Sequence, residues 1–144
     1  MPGGSRPAAG KPAGQAGWPL TVLIDSDVLI EVSRGRDESI LSRWTDLSRS
    51  DALILFSPIN VAELWAGARP AEYDSLEALF DALACAPADA AVGRQAGDYL
   101  RRYRKSHSLE LGDALIAATA VTHSAMLWTR NRKHYPMKEL QFFD

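Results

Sequence analysis

From residue 21 onward, short apolar runs of strand length alternate with longer segments whose apolar residues recur every three or four positions. The first run, TVLI at residues 21–24, is branched and uncharged and is followed directly by Asp25, which indicates a buried strand. Further strands are predicted at residues 52–56, 126–129 and 140–143. Strands separated by helices need right-handed crossovers, so the alternation predicts a three-layer α/β sandwich with a central, mostly parallel sheet flanked by helices.

Helix signals lie between the predicted strands. Ser57 followed by Pro58 is typical of an N-cap and the first helical position, and Asp89 is predicted to cap a longer helix. Residues 114–122 are uncharged and rich in alanine, so we expect this helix to lie at the centre of the protein.

The 144 residues suit a single domain of ordinary size. Residues 1–20 hold 9 of the chain's 18 Gly and Pro residues and are predicted to be a disordered leader, which leaves residues 21–144 as the folded domain. No apolar run approaches the roughly 18 to 20 residues that cross a bilayer. The lone Cys85 excludes a disulfide framework, fits a reducing cytoplasm, and is expected to be a small core residue.

Three carboxylates occupy costly positions in this pattern. Asp25 ends the first strand, Glu63 is the only charged residue within residues 52–68, and Asp113 opens the uncharged helix. A carboxylate in an apolar segment must be paired, hydrogen-bonded or bound to a metal. Each residue also has an ordinary explanation, because Asp25 and Asp113 could stabilise helix starts and Glu63 could face solvent.

If these carboxylates converge, each pair about 4 Å apart repels by roughly 4 kcal/mol at an effective dielectric near 20. Such repulsion raises pKa values or recruits a divalent cation. A cluster of oxygen ligands suits Mg²⁺ or Mn²⁺, and phosphodiester hydrolysis is the chemistry that such a site supports.

With these residues in place, the sequence resembles the PIN-domain ribonucleases, and more narrowly the VapC toxins of VapBC toxin–antitoxin systems. The likeness runs from residue 21 to residue 144. It rests on four segments in order: LIDSDVLI at 23–30, PINVAEL at 58–64, GDALIAATA at 112–120 and WTRNRKHY at 128–135. Each segment is weak evidence alone, but the four together, in this order and spacing, make a specific match.

The resemblance implies that Asp25, Glu63 and Asp113 are the catalytic carboxylates and bind Mg²⁺ or Mn²⁺, with Ser26 supporting them. Asn131 stands where many relatives carry a fourth acid, and is expected to contribute a neutral ligand to the metal. The implied reaction is hydrolysis of RNA by a water molecule that the metal activates.

The resemblance also implies partners. The basic residues after the last strand, Arg130, Arg132 and Lys133, are expected to bind RNA. A second copy of the chain would form a homodimer, and a VapB-like antitoxin would block the acidic pocket. Such a toxin would act in the cytoplasm, without a membrane.

Two other readings stay open. Asp25 and Asp27 after a strand also look like the opening of a haloacid-dehalogenase-type phosphatase, although Ala117, four residues after Asp113, breaks the downstream acidic pair that such an enzyme needs. Alternatively, the missing fourth acid at Asn131 could mark a catalytically degenerate, PIN-like binding domain. Asp27 itself could supply extra charge to a metal or stabilise the start of a helix.

Overall fold

A computed structural model describes residues 19–144 of the chain. Its sheet has four parallel strands in the order β3-β2-β1-β4. Leu23 in the middle of β1 pairs with Leu55 of β2 on one side and Leu127 of β4 on the other. The strands are β1 (Thr21–Ile24), β2 (Leu53–Phe56), β3 (Ala84–Cys85) and β4 (Met126–Trp128).

Six α-helices connect or follow these strands within residues 19–144. Ser57 caps the third helix through a reciprocal pair of hydrogen bonds with Asn60, and Asp89 caps the fifth by accepting a hydrogen bond from the Val92 amide, as the sequence predicts. The helices are α1 (Ser26–Arg34), α2 (Glu38–Arg49), α3 (Pro58–Gly67), α4 (Tyr73–Asp81), α5 (Ala90–His107) and α6 (Leu111–Thr122).

Helices cover both faces of the sheet. Leu23 points to a core built with α5 and α6, whereas its neighbours Val22 and Ile24 point to a core built with α1, α2 and α4. Alternate residues of a strand face opposite sides, so β1 is buried on both faces. The predicted three-layer α/β sandwich with a parallel sheet is confirmed.

Three details differ from the sequence-based predictions. Residues 140–143 do not form a strand: Phe142 makes a single bridge to Leu127, and the apolar side chains of Leu140 and Phe143 are buried in the two cores without further pairing. Cys85 is exposed rather than buried, since it lies on the short edge strand β3. That strand escaped prediction because two residues are too few to show a pattern.

The predicted leader falls almost entirely on residues 1–18, outside the described part of the chain, so the division at residue 20 stays a prediction. Within residues 19–144, no helix is both long enough and apolar enough to cross a membrane.

Candidate active site

Polar residues gather at the carboxyl edge of the sheet. Asp25 follows β1, Ser57 follows β2 and Thr129 follows β4. The chain passes from β1 to β2 and β3 on one side of β1, and β4 then pairs with β1 on the opposite side. The direction of the connections therefore reverses between β1 and β4, which is the topological switch point of the sheet. In sheets of this kind, ligands bind in the crevice that such a switch opens.

Asp25 is the most firmly held carboxylate at this edge, with only 8% of its surface exposed. Its Oδ1 accepts a hydrogen bond from the Ser26 amide at 2.8 Å. Its Oδ2 accepts two, from the Thr129 hydroxyl at 2.9 Å and the Tyr135 hydroxyl at 2.7 Å. Burial and the Asp25 charge raise the pKa of the Tyr135 phenol above its usual range, so this hydroxyl remains a donor.

Glu63 is held beside Asp25 by a chain of hydrogen bonds from α3 to α1. The Ser26 hydroxyl donates to Glu63 Oε1 at 2.7 Å and accepts from the Asn60 side-chain amide at 2.9 Å. Asn60 is itself fully buried and bound by Ser57. Ser26 thus orients Glu63 through its side chain and Asp25 through its backbone.

The α3 helix is not buried as its otherwise uncharged sequence suggests. Most of this helix is exposed, and Glu63 with it, so the solvent-facing alternative is correct for this side chain. Within α3, only Asn60 and Leu64 are buried. Glu63 is therefore notable for its contact with Ser26, not for the cost of burying it.

Asp113 lies in the first turn of α6 and is half-buried. Burial raises the pKa of its carboxyl, the neighbouring His134 lowers it, and the charges of Asp25, Glu110 and Glu63 raise it further, with a net increase. The preceding Gly112 gives Glu63 room, since a Cβ there would lie 3.1 Å from Glu63 Oε2. The structure thus brings the three predicted carboxylates to one edge of the sheet; their catalytic role stays a prediction.

Asn131, predicted to be a neutral ligand to the metal, contacts Asp27; its role as a ligand stays a prediction. Its side-chain amide donates to Asp27 Oδ2 at 2.8 Å, and the Arg130 backbone amide donates to the same oxygen at 3.1 Å. Burial, followed by the charge of Asp25, raises the pKa of Asp27 to about 6. Asp27 therefore belongs to the acidic edge as well as to the first turn of α1.

Replacement of Asp27 by Asn is expected to stabilise the metal-free protein at pH 7.5. The pKa of Asp27 rises from 3.8 to about 6 on folding. The stabilisation that Asp27 contributes is therefore fully present below pH 3.8, and it is lost as the pH rises through 6 and the carboxyl of the folded protein ionises. After allowance for solvent screening, we expect a gain on the order of 1 kcal/mol at pH 7.5 that disappears near pH 4. Urea unfolding in EDTA at both pH values measures this difference in the free energy of unfolding. A variant less stable than wild type at pH 7.5 would contradict the prediction.

Two of the three residues predicted to bind RNA form ion pairs. Arg130 contacts Glu31 at 3.3 Å, and Arg132 pairs with Asp144. Both side chains remain half-exposed, and Lys133, which follows Arg132, is exposed. Their role toward RNA stays a prediction.

Sequence reasoning did not assign Asn60, Thr129 or Tyr135 to the site. Thr129 carried a usable signal, since it follows its strand just as Asp25 follows β1. Asn60 and Tyr135 lie within the quoted segments at 58–64 and 128–135, but only the tertiary fold brings them to Ser26 and Asp25.

Comparison with known proteins identifies the family of this chain. The family model described as "PIN domain" matches residues 22–140. The chain belongs to the PIN-domain family. Ribonuclease VapC10 of Mycobacterium tuberculosis is 42% identical over 120 residues, which cover 82% of this chain and 88% of VapC10. Ribonuclease VapC19 of the same organism is 35% identical over 116 residues, covering 80% and 92%.

A solved structure shares the fold of this PIN-domain protein. It is the crystal structure of VapBC2 from Rickettsia felis bound to a promoter DNA fragment, with a TM-score of 0.74 and 20% identity. The match covers 86% of this chain and 98% of the other. The comparisons confirm the prediction of a PIN-domain ribonuclease of the VapC type and argue against the phosphatase alternative.

PIN-domain ribonucleases generally use divalent metal ions, and the residues at this edge fit one. Within residues 19–144, no three His, Cys, Asp or Glu side chains form a ready metal cage as they stand. Mg²⁺ does not need one, because it keeps several waters and binds one or two carboxylates together with substrate phosphates. The donors here are carboxylate oxygens, and Asp27 Oδ1 is buried without a hydrogen bond from the described residues.

Proposed function

We propose that this protein is a Mg²⁺- or Mn²⁺-dependent endoribonuclease and the toxin of a type II toxin–antitoxin system. The observation that carries the proposal is that Asp25, Glu63 and Asp113 lie at one edge of the sheet, near enough for the charges of Asp25 and Glu63 to act on Asp113. Burial and the charges of Asp25 and Glu63 both raise the pKa of Asp113, so the site favours a bound cation.

Each carboxylate has a distinct task in this proposal. Asp25, held by three hydrogen bonds, and Asp113, held on α6, would bind the metal. Glu63 is exposed and receives one hydrogen bond from Ser26, so its carboxylate is the group placed to accept a proton from the attacking water. When bound, the cation supplies charge neutralisation at the phosphate and makes water more acidic.

The substrate in this proposal is RNA. Arg130, Arg132 and Lys133 follow β4 directly, on the same edge of the sheet as Asp25. Their charges would hold phosphates beside the pocket. Asn131 donates its side-chain NH₂ to Asp27, and its carbonyl oxygen would be the uncharged ligand to the metal.

The proposed partners are a VapB-like antitoxin and a second copy of this chain. The VapBC2 structure from Rickettsia felis, a toxin–antitoxin complex, supports an antitoxin partner. An acidic pocket of this kind accepts a cationic side chain, such as the guanidinium of an antitoxin arginine, in place of the metal. We propose that the toxin and its antitoxin act in the cytoplasm.

The test uses the purified chain, freed of any antitoxin, with total cellular RNA and separately with single-stranded DNA. Each substrate is incubated with Mg²⁺, Mn²⁺ or EDTA. We expect discrete RNA fragments with either metal and intact RNA in EDTA. Intact RNA under all three conditions, with the protein folded by circular dichroism, would overturn the nuclease proposal and favour a degenerate binding domain.

A further inference from the structure

Tyr135 is a core residue whose hydroxyl lies in the acidic site. Only 4% of its surface is exposed, and its ring packs edge-on against Phe142 with the ring centroids 6.5 Å apart. The chain reaches it through the short 3₁₀ helix Arg132–His134 that follows Asn131. Packing therefore holds the ring in place and keeps its hydroxyl on Asp25.

The hydrogen bonds to Asp25 are distributed unevenly between its two oxygens. A carboxylate oxygen has two acceptor positions. Oδ2 uses both of them, one for Thr129 and one for Tyr135. Oδ1 uses one, for the Ser26 amide, and keeps the other open.

We propose that Tyr135 is a positioning residue that, with Thr129, occupies Oδ2 of Asp25 and leaves Oδ1 as the oxygen available to the cation. This inference rests on the proposed function, because it concerns the same metal site. It assigns a role to a residue outside the predicted carboxylates, and it makes Asp25 a ligand through a single oxygen.

The variant Tyr135→Phe tests this role because it removes the hydroxyl and keeps the ring. Oδ2 then regains an open acceptor position, and the Asp25 carboxylate loses one of its three restraints. Groups that orient a metal ligand typically contribute 10- to 100-fold to metal affinity. We expect the dissociation constant for Mn²⁺ to rise about tenfold, with cleavage recovering toward the wild-type rate at saturating Mn²⁺.

Tyr99→Phe is a matched control. Tyr99 is fully buried on α5, and its hydroxyl lies near Glu139, not at Asp25. Tyr99→Phe removes the same hydroxyl group as Tyr135→Phe but leaves the hydrogen bonds of Asp25 unchanged. We expect wild-type Mn²⁺ affinity for this control.

The measurement is Mn²⁺ titration followed by electron paramagnetic resonance, on wild type, Tyr135→Phe, Tyr99→Phe and Asp25→Asn. Near-ultraviolet circular dichroism of each metal-free variant checks that the core is intact. The proposal is supported if Tyr135→Phe binds Mn²⁺ more weakly than wild type and Tyr99→Phe does not. Equal affinities for wild type and Tyr135→Phe, with Asp25→Asn unable to bind, would overturn the positioning role but leave the metal site standing. Unchanged binding by Asp25→Asn would instead overturn the site itself.

Discussion

Asp113→Asn is expected to reduce RNA cleavage at least a hundredfold while leaving the protein folded. The substitution keeps the size of the side chain but removes a charge that the cation would bind, and it relieves repulsion from Asp25 and Glu63. The initial rate of cleavage of a labelled RNA under single-turnover conditions, at saturating Mn²⁺, measures the effect. Because burial already raises the pKa of this carboxyl, the metal-free variant should be no less stable than wild type.

Glu110→Gln is the matched control for this result. Glu110 is the exposed residue that precedes α6, its side chain makes no capping hydrogen bond, and its charge acts on Asp113. Glu110→Gln thus removes a negative charge near Asp113 without removing a proposed metal ligand. We expect cleavage within about threefold of wild type. Equal losses in the two variants would mean that general charge, not ligation by Asp113, supports the reaction.

Asp25→Ala is expected to lower the free energy of unfolding by about 3 to 5 kcal/mol, whereas Asp25→Asn should lower it by less than about 1.5 kcal/mol. Alanine leaves the Ser26 amide and the Thr129 and Tyr135 hydroxyls without their acceptor, and each buried unsatisfied group costs roughly 1 to 3 kcal/mol. Asparagine keeps one oxygen for Ser26, and its NH₂ group can donate to the two hydroxyls, which rotate to accept.

Urea unfolding in EDTA measures both variants without a contribution from metal binding. Asp98→Ala is the control, because Asp98 is an exposed residue of α5 whose ion pair with Arg101 lies on the surface. We expect it to change stability by less than about 1 kcal/mol. If Asp25→Ala were no less stable than Asp25→Asn, the hydrogen bonds to this carboxylate would contribute nothing to the fold.

The arrangement of layers could be predicted from the sequence because it depends on local pattern. Composition indicates burial for the uncharged run at residues 21–24 and for the alanine-rich helix α6. Capping residues indicate where two helices begin, at Ser57 and Asp89. The strand predicted at residues 140–143 was wrong because an apolar run can bury its side chains without strand pairing: Leu140 and Phe143 lie in the two cores, and only Phe142 bridges to Leu127.

The candidate carboxylates could be picked out from local pattern, since Asp25, Glu63 and Asp113 stand out in otherwise apolar or uncharged segments. The contacts that hold them in place follow from the fold alone. Ser26 meets Glu63 across 37 residues, and Tyr135 meets Asp25 across 110, so neither contact leaves a trace in local spacing. Hydrogen bonds between distant residues depend on how the strands and helices pack, because packing sets the distance between donor and acceptor, which must be about 3 Å.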